Sequence, residues 1–205
     1  MSDAPNTSPR LILASSSPYR RELLGRLRVP FDVVSPDIDE TPLDGETPQA
    51  TAVRLSIAKA RAVAAGVDEP SGALVIGSDQ VATFDGQQIG KPGTHEKAFA
   101  QLQAMRGRSV EFHSALCLFD SRTGDAQSAD IVTRVRFRRY SDAQIETYLR
   151  AETPYDCAGS AKAEGLGIAL LEAIESDDPT ALIGLPLIAL TGMLANAGFP
   201  VLEAA

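Results

Sequence analysis

Short apolar runs of strand length alternate along this chain with segments of helical period, and no other feature narrows the fold so far. Arg10-Leu-Ile-Leu-Ala14 is the first run, and Ser15-Ser-Ser-Pro18 follows it. A serine before a proline starts a helix, with Ser17 as cap and Pro18 in the first turn. Leu23, Leu24 and Leu27 then recur at helical spacing. Phe31 to Ser35 reads as a second strand, followed by the proline-bounded acidic loop Pro36-Asp-Ile-Asp-Glu-Thr-Pro42. From Pro48 to about Ala65 the spacing predicts an amphipathic helix with Val53, Ile57, Ala60 and Ala64 on one face. Ala73 to Gly77 is an apolar strand ending in Ser78-Asp79-Gln80, and Val81 to Ile89 reads as a hairpin around Asp85-Gly86. Glu96 to Met105 is helical. Val110 to Phe119 and Ile131 to Phe137 are long strands joined through residues 121–125. A strand at Ile168 to Glu172 and a helix from about Pro186 to Ala197 close the chain.

Helices interrupted by hairpins imply a mixed-sheet α/β domain rather than a purely parallel one. Residues 1–9 read as a disordered tail and residues 10–205 as a single domain. A chain of 205 residues buries about 70% of its surface on folding and needs no staple. Two lobes within the domain remain open. With no tryptophan and 5% aromatic residues, the core rests on Leu, Ile, Val and Ala.

Charge narrows the partners. The 19 basic and 27 acidic residues leave a net charge of −8. Such a field repels nucleic-acid polymers and anionic membranes. A small anionic ligand then needs a locally basic pocket or a metal ion. Met1 to Pro9 is short and polar, and no stretch approaches the roughly 20 apolar residues of a membrane helix. A cytoplasmic protein with two reduced thiols, Cys117 and Cys157, is the expectation.

Four segments could carry chemistry. Hydroxyls and backbone N–H groups at Ser15 to Ser17 form an anion site or simply a common helix start. Arg20 and Arg21 oppose the helix dipole there, a local cost that an external anion would offset. Asp37, Asp39 and Glu40 offer hard oxygen ligands for Mg²⁺ or Mn²⁺. They equally suit a solvated turn, or one member of a glycosidase carboxylate pair. Asp79, after a buried strand, is a general base, a metal ligand or a turn aspartate. Lys91 in Gly90-Lys-Pro92 is a phosphate contact or a surface lysine. The segment from Gly86 to Lys91 is one residue short of a phosphate loop, and Pro92 replaces its hydroxyl residue. His95 and His113 lack a partner at metal spacing. Gly165-x-Gly167 lacks the third glycine of a dinucleotide fingerprint. Arg134, Arg136 and Arg138 share a strand face that is either solvated or a substrate surface.

Seven segments in order resemble the Maf-like nucleoside triphosphate pyrophosphatases: Leu11-Ile-Leu-Ala-Ser-Ser-Ser-Pro-Tyr-Arg20, Asp39-Glu-Thr41, Lys59-Ala60, Gly77-Ser-Asp-Gln80, Gly90-Lys-Pro92, Cys157-Ala-Gly-Ser160 and Glu164-Gly-Leu-Gly167. The resemblance runs from Leu11 to about Leu194. It implies a Maf/ITPase-like fold with two lobes flanking a nucleotide-binding cleft, and hydrolysis between the α- and β-phosphates. By matching motifs, Asp79 is expected to accept the proton, and Ser15, Arg20, Lys59 and Lys91 to contact phosphate. Glu40 and Asp79 are expected to serve a divalent cation, Mg²⁺ or Mn²⁺. Tyr19, Gln80 and Glu164 fall at the positions that choose the base. Ser-Pro-Tyr19, Ser-Asp-Gln80 and Glu164-Gly resemble the branch acting on 7-methyl-GTP, whereas the dTTP/UTP branch resembles Ser-Pro-Arg-Arg, Ser-Asp-Thr and Gln-Gly. The alternatives are a dTTP/UTP pyrophosphatase of the same family and a non-catalytic nucleotide-binding regulator of septum formation. The partner expected is a small nucleotide; a homodimer stays open.

Overall fold

The computed structural model describes residues 9–67 and 72–202. Residues 1–8 of the expected tail lie outside them, and Pro9 is already buried. Strand β1 (Arg10–Ala14) leads into helix α1 (Pro18–Gly25), then β2 (Asp32–Val34) and helix α2 (Pro48–Ala64). Strands β3 (Ala73–Phe84) and β4 (Gln87–Ile89) precede α3 (His95–Met105). The long strands β5 (Ser109–Asp120) and β6 (Ala126–Phe137) come next, then α4 (Asp142–Glu152), β7 (Leu171–Glu175) and α5 (Leu187–Asn196). Among the described residues the strands form one seven-stranded sheet in the order β2-β1-β3-β5-β6-β7, with β4 paired to β3. β1 is parallel to β2 and β3, and every other pair is antiparallel. The mixed-sheet expectation holds.

Helix starts follow local chemistry. The Ser17 and Thr47 side chains accept from the backbone N–H groups of Arg20 and Ala50, and a proline occupies the next position in each helix. The turn between β3 and β4 places Asp85 and Gly86 at φ 51° and 73°. Two successive positive φ values suit a tight hairpin whose twist matches its strands.

The 12-residue strands β3 and β5 carry two cores along their length. Leu74 and Ile76 of β3 and Leu116 and Leu118 of β5 pack with Leu23, Leu24, Leu190 and Leu194 from α1 and α5. Further along the same strands, Ala82, Val110 and Phe112 pack with Leu102, Ile145 and Leu149 from α3 and α4. Alternate residues Val75 and Cys117 face α2 through Ala60, Val63 and Ala64. This is the period-2 alternation of a sheet covered on both faces.

The structure corrects several boundaries. β3 does not end at Gly77; it runs unbroken to Phe84, so Asp79 lies mid-strand. β1 pairs with β3 only as far as Ala14 opposite Gly77, so Asp79 still stands just beyond the carboxyl end of β1. The final strand begins at Leu171, after a 3₁₀ turn at Leu166–Leu170. The buried side of α2 contains Ala52, Leu55, Ser56, Lys59 and Ala60, with Val53 and Ile57 only partly covered. Helix α4 escaped the apolar periodicity, although its capping box is complete, with Ser141 and Gln144 bonding each other's backbone N–H. Arg134 and Arg136 do form a solvated face: they are exposed and pair with Glu111 and Glu172.

Candidate active site

A cavity of about 400 Å³ opens beyond the carboxyl end of β1. Its charged lining includes Arg20, Glu40, Lys59, Asp79, Lys91 and Glu164, with Ser15, Tyr19 and Gln80 as further polar groups and Phe112, Ala161 and Leu182 as apolar surface. All the residues singled out from the motifs therefore meet in one place, although they come from elements spread over the chain.

Lys59 organises the charged lining. It projects from α2, is 5% exposed, and its Nζ contacts Asp79 Oδ1 at 2.7 Å and Glu40 Oε1 at 2.9 Å. An ammonium buried without partners would cost several kcal/mol; two carboxylates offset that. Gly77 makes the approach possible. A Cβ there would lie 2.0 Å from Ser56 O and 2.8 Å from Ala60 N, so only glycine lets β3 press against the α2 backbone. Asp79 is 8% exposed, and its Oδ2 makes no hydrogen bond among the described residues.

The acidic loop divides its three carboxylates. Glu40 reaches Lys59. Asp39 Oδ1 instead accepts from Thr41 N at 2.9 Å and shapes the turn. Asp37 lines a separate cavity with Arg10 and Val67. A clamp holds the loop to α2: Arg54 Nε donates to Glu46 Oε1 at 2.7 Å, and Arg54 Nη2 donates to Thr41 O at 3.1 Å. The Arg54 guanidinium, assisted by Leu43 N–H and Thr51, holds the Glu46 carboxyl down at about 2.

Arg20 is anchored across the site. Its Nε donates to Gly184 O at 2.9 Å, and Ser78 Oγ donates to the same carbonyl at 3.0 Å. Burial lowers the guanidinium pKa, against the pull of Asp79 and Glu40. Ser15 Oγ accepts from Ser17 N at 3.1 Å, closing the serine loop. Lys91 and Glu164 are exposed and have no hydrogen bond or ion pair among the described residues. Gln80 is committed through its Nε2, which donates to Ala181 O and Leu182 O at 3.0 Å and to Ser114 Oγ at 2.9 Å. These bonds tie Gln80 to the loop at Ala181 and Leu182.

Glu40 and Asp79 are hard oxygen donors of the kind a divalent cation takes, and here one oxygen of each is engaged by the Lys59 ammonium. No group of three or more His, Cys, Asp or Glu able to hold a metal occurs among the described residues. Two carboxylates fit a Mg²⁺-like ion that completes its shell with water and substrate phosphate.

Sequence reasoning passed over Asp156 and Lys162. Asp156 lines the cavity beside Tyr19, and Lys162 stands behind it. Both flank matched motifs, Asp156 directly before Cys157 and Lys162 two residues before Glu164. Cys117 and Cys157 are both free, and burial with the adjacent Asp156 charge pushes the Cys157 thiol up to about 12. It is a thiol rather than a nucleophilic thiolate. His95 contacts Tyr155 and Glu146, and His113 contacts Asp130, so both histidines serve structure.

The family model described as Maf-like protein matches residues 10–197. A Burkholderia thailandensis protein named 7-methyl-GTP pyrophosphatase is 76% identical over 96% of this chain and 91% of its own length. A Paraburkholderia xenovorans protein of the same name is 74% identical over the full length of both chains. Among solved structures, the Staphylococcus aureus Ham1 protein is 14% identical, covers 63% of this chain and 72% of its own, and superposes with a TM-score of 0.46.

Proposed function

The chain belongs to the Maf-like family, and from that premise we propose that it hydrolyses 7-methyl-GTP to 7-methyl-GMP and pyrophosphate. The observation that carries the reading is the juxtaposition of Lys59, Asp79 and Glu40 with Arg20 in a cavity that also holds Tyr19, Phe112 and Glu164.

A triphosphate brings strong negative charge to a protein that is itself acidic, so local cations must meet it. Arg20, Lys59 and Lys91 supply them, Lys91 having no ion pair among the described residues, and the serine loop adds hydroxyls and backbone N–H groups. Asp79 keeps Oδ2 free while Oδ1 is held by Lys59, so it can accept a proton from water at a fixed position. The water oxygen bonds to phosphorus, its proton passes to Asp79, and the bond between the α- and β-phosphates breaks, with pyrophosphate as the leaving group. Positioning and charge neutralisation supply most of such catalysis. A divalent cation held by Glu40 and Asp79 would add charge neutralisation at the phosphates.

At the base end, Glu164 is exposed and unpartnered among the described residues, free to accept from guanine N1–H and the 2-amino group. Tyr19 offers an aromatic face to a base made cationic by N7-methylation. Thymine and uracil carry no matching donor pair for Glu164. Residues 10–205 act as one catalytic domain in this reading, supported by the single continuous sheet. The two free thiols accord with a cytoplasmic setting. Among the described residues no helix is long and apolar enough to cross a membrane.

Product analysis tests the proposal. With Mg²⁺ or Mn²⁺, 7-methyl-GTP is expected to yield monophosphate and pyrophosphate in equal amounts, and excess EDTA to abolish the release reversibly. Orthophosphate with a diphosphate product would place the cleavage at the wrong bond. Binding without turnover would favour a regulator. Full activity in EDTA would remove the metal from the account.

A further inference from the structure

We propose that Asp156 is a positioning residue for base recognition, acting through the hydroxyl of Tyr19; the inference rests on the 7-methyl-GTP reading of the same cavity. Tyr19 is the second residue of α1, partly exposed, on a helix whose first turn borders the cavity. Its ring can select a cationic base only if its face stays within about 6 Å of the charge. A ring free to change rotamer would spread that contact over several orientations. The structure supplies the restraint 137 residues away. Tyr19 Oη donates to Asp156 Oδ2 at 3.3 Å.

Asp156 is itself held. Lys162 Nζ lies 3.6 Å from its Oδ1, and Cys157 Sγ contacts the same oxygen at 3.5 Å. The Lys162 backbone is fixed on several sides. Its N–H donates to Tyr148 Oη at 3.0 Å, and its carbonyl accepts from Gly165 N at 3.1 Å. A Cβ on Gly167 would fall 2.5 Å from Lys162 O and 2.6 Å from Lys162 N, so the turn after Glu164 packs directly onto it. Lys162 thus ties Asp156, and through it Tyr19, to the turn that carries Glu164.

The charge states suit this role. Burial, chiefly, raises the pKa of the Tyr19 phenol, which remains a neutral donor. Burial alone would raise the Asp156 carboxyl as well, but Lys162, a backbone hydrogen bond, Cys157 and the Tyr19 hydroxyl together hold it below the usual range. An ionised Asp156 accepts the phenol's hydrogen bond, and Lys162 offsets its charge. Glu164 is then left as the carboxylate that meets the base.

The test is a double-mutant cycle on base discrimination. The kcat/KM values for 7-methyl-GTP and for GTP are measured in the wild type, Tyr19→Phe, Asp156→Ala and the double variant. Each single substitution is expected to lower the 7-methyl-GTP to GTP ratio about three- to tenfold, mainly through KM for 7-methyl-GTP. The double variant should fall no further than the weaker single. Tyr19→Phe keeps the ring and removes only the hydroxyl, so the cycle does not depend on Asp156→Ala alone. An unchanged ratio in either single variant, or losses that multiply in the double, would overturn the inference. Wild-type protein that releases pyrophosphate from neither nucleotide overturns the functional reading and this inference together. An active, discriminating wild type with indifferent variants overturns the inference alone.

Discussion

Lys59 links the charged groups of the site, because one buried ammonium holds two carboxylates from separate elements. The arrangement leaves Asp79 with one oxygen engaged and one free, which suits a proton acceptor and not a purely structural ion pair. Asp79→Asn keeps the shape and the contact with Lys59 but removes the basic oxygen. Its kcat is expected to fall on the order of 10²–10⁴-fold, with KM changed far less. Wild-type turnover by this variant, measured as pyrophosphate release, would remove Asp79 from the chemistry. Residues of this kind were legible in the sequence because they sit in short motifs: every residue taken from them lines the cavity. Asp156 and Lys162 were not legible, since an aspartate before a cysteine and a lysine between alanines carry no local signal. Their role comes from contact with Tyr19 across 137 residues. Gln80 was legible in place, but its bonds to the carbonyls of Ala181 and Leu182 carry no local signal because those lie about a hundred residues away.

At the scale of elements, the contact between β3 and α2 sets the distance from Lys59 to Asp79. Gly77 is where the strand meets the helix backbone, with no room for a side chain. Gly77→Ala should force the two apart. The expected cost is about 3 kcal/mol or more, the upper range of overpacking, because the clash is with backbone. Chemical denaturation measures it; a loss below about 1 kcal/mol would show that α2 shifts freely and that the Lys59 pairing is not fixed by this packing. The strand boundary here was misread from sequence. Gly77-Ser78-Asp79-Gln80 looks like the end of an apolar run, yet antiparallel pairing with β5 continues through Thr83 opposite Glu111. Polarity marked the loss of the β1 neighbour and not the end of the strand. Helix α4 escaped for a different reason: Ile145, Tyr148 and Leu149 are its buried face, too few apolar positions to stand out, while its real signal was the Ser141 and Gln144 cap.

Over the whole molecule, the long strands join two cores, and the cavity draws its walls from both. Leu74 and Leu116 belong to the core under α1 and α5, while Ala82 and Phe112 belong to the one under α3 and α4. Ser15, Arg20 and Lys59 reach the cavity from the loop after β1, from α1 and from α2, whereas Phe112 belongs to the second core. The net charge of −8 makes the local cations decisive, since the protein as a whole offers an anion no attraction. Base choice is therefore the central claim, and a comparison of kcat/KM for 7-methyl-GTP, GTP, dTTP and UTP, by pyrophosphate release from the wild type, tests it most directly. A site whose carboxylate pairs with guanine's donors can reject a base lacking them by up to about 10⁴–10⁵. The account predicts 7-methyl-GTP first, GTP behind it, and both pyrimidine nucleotides far below. Equal kcat/KM for 7-methyl-GTP and dTTP would contradict it.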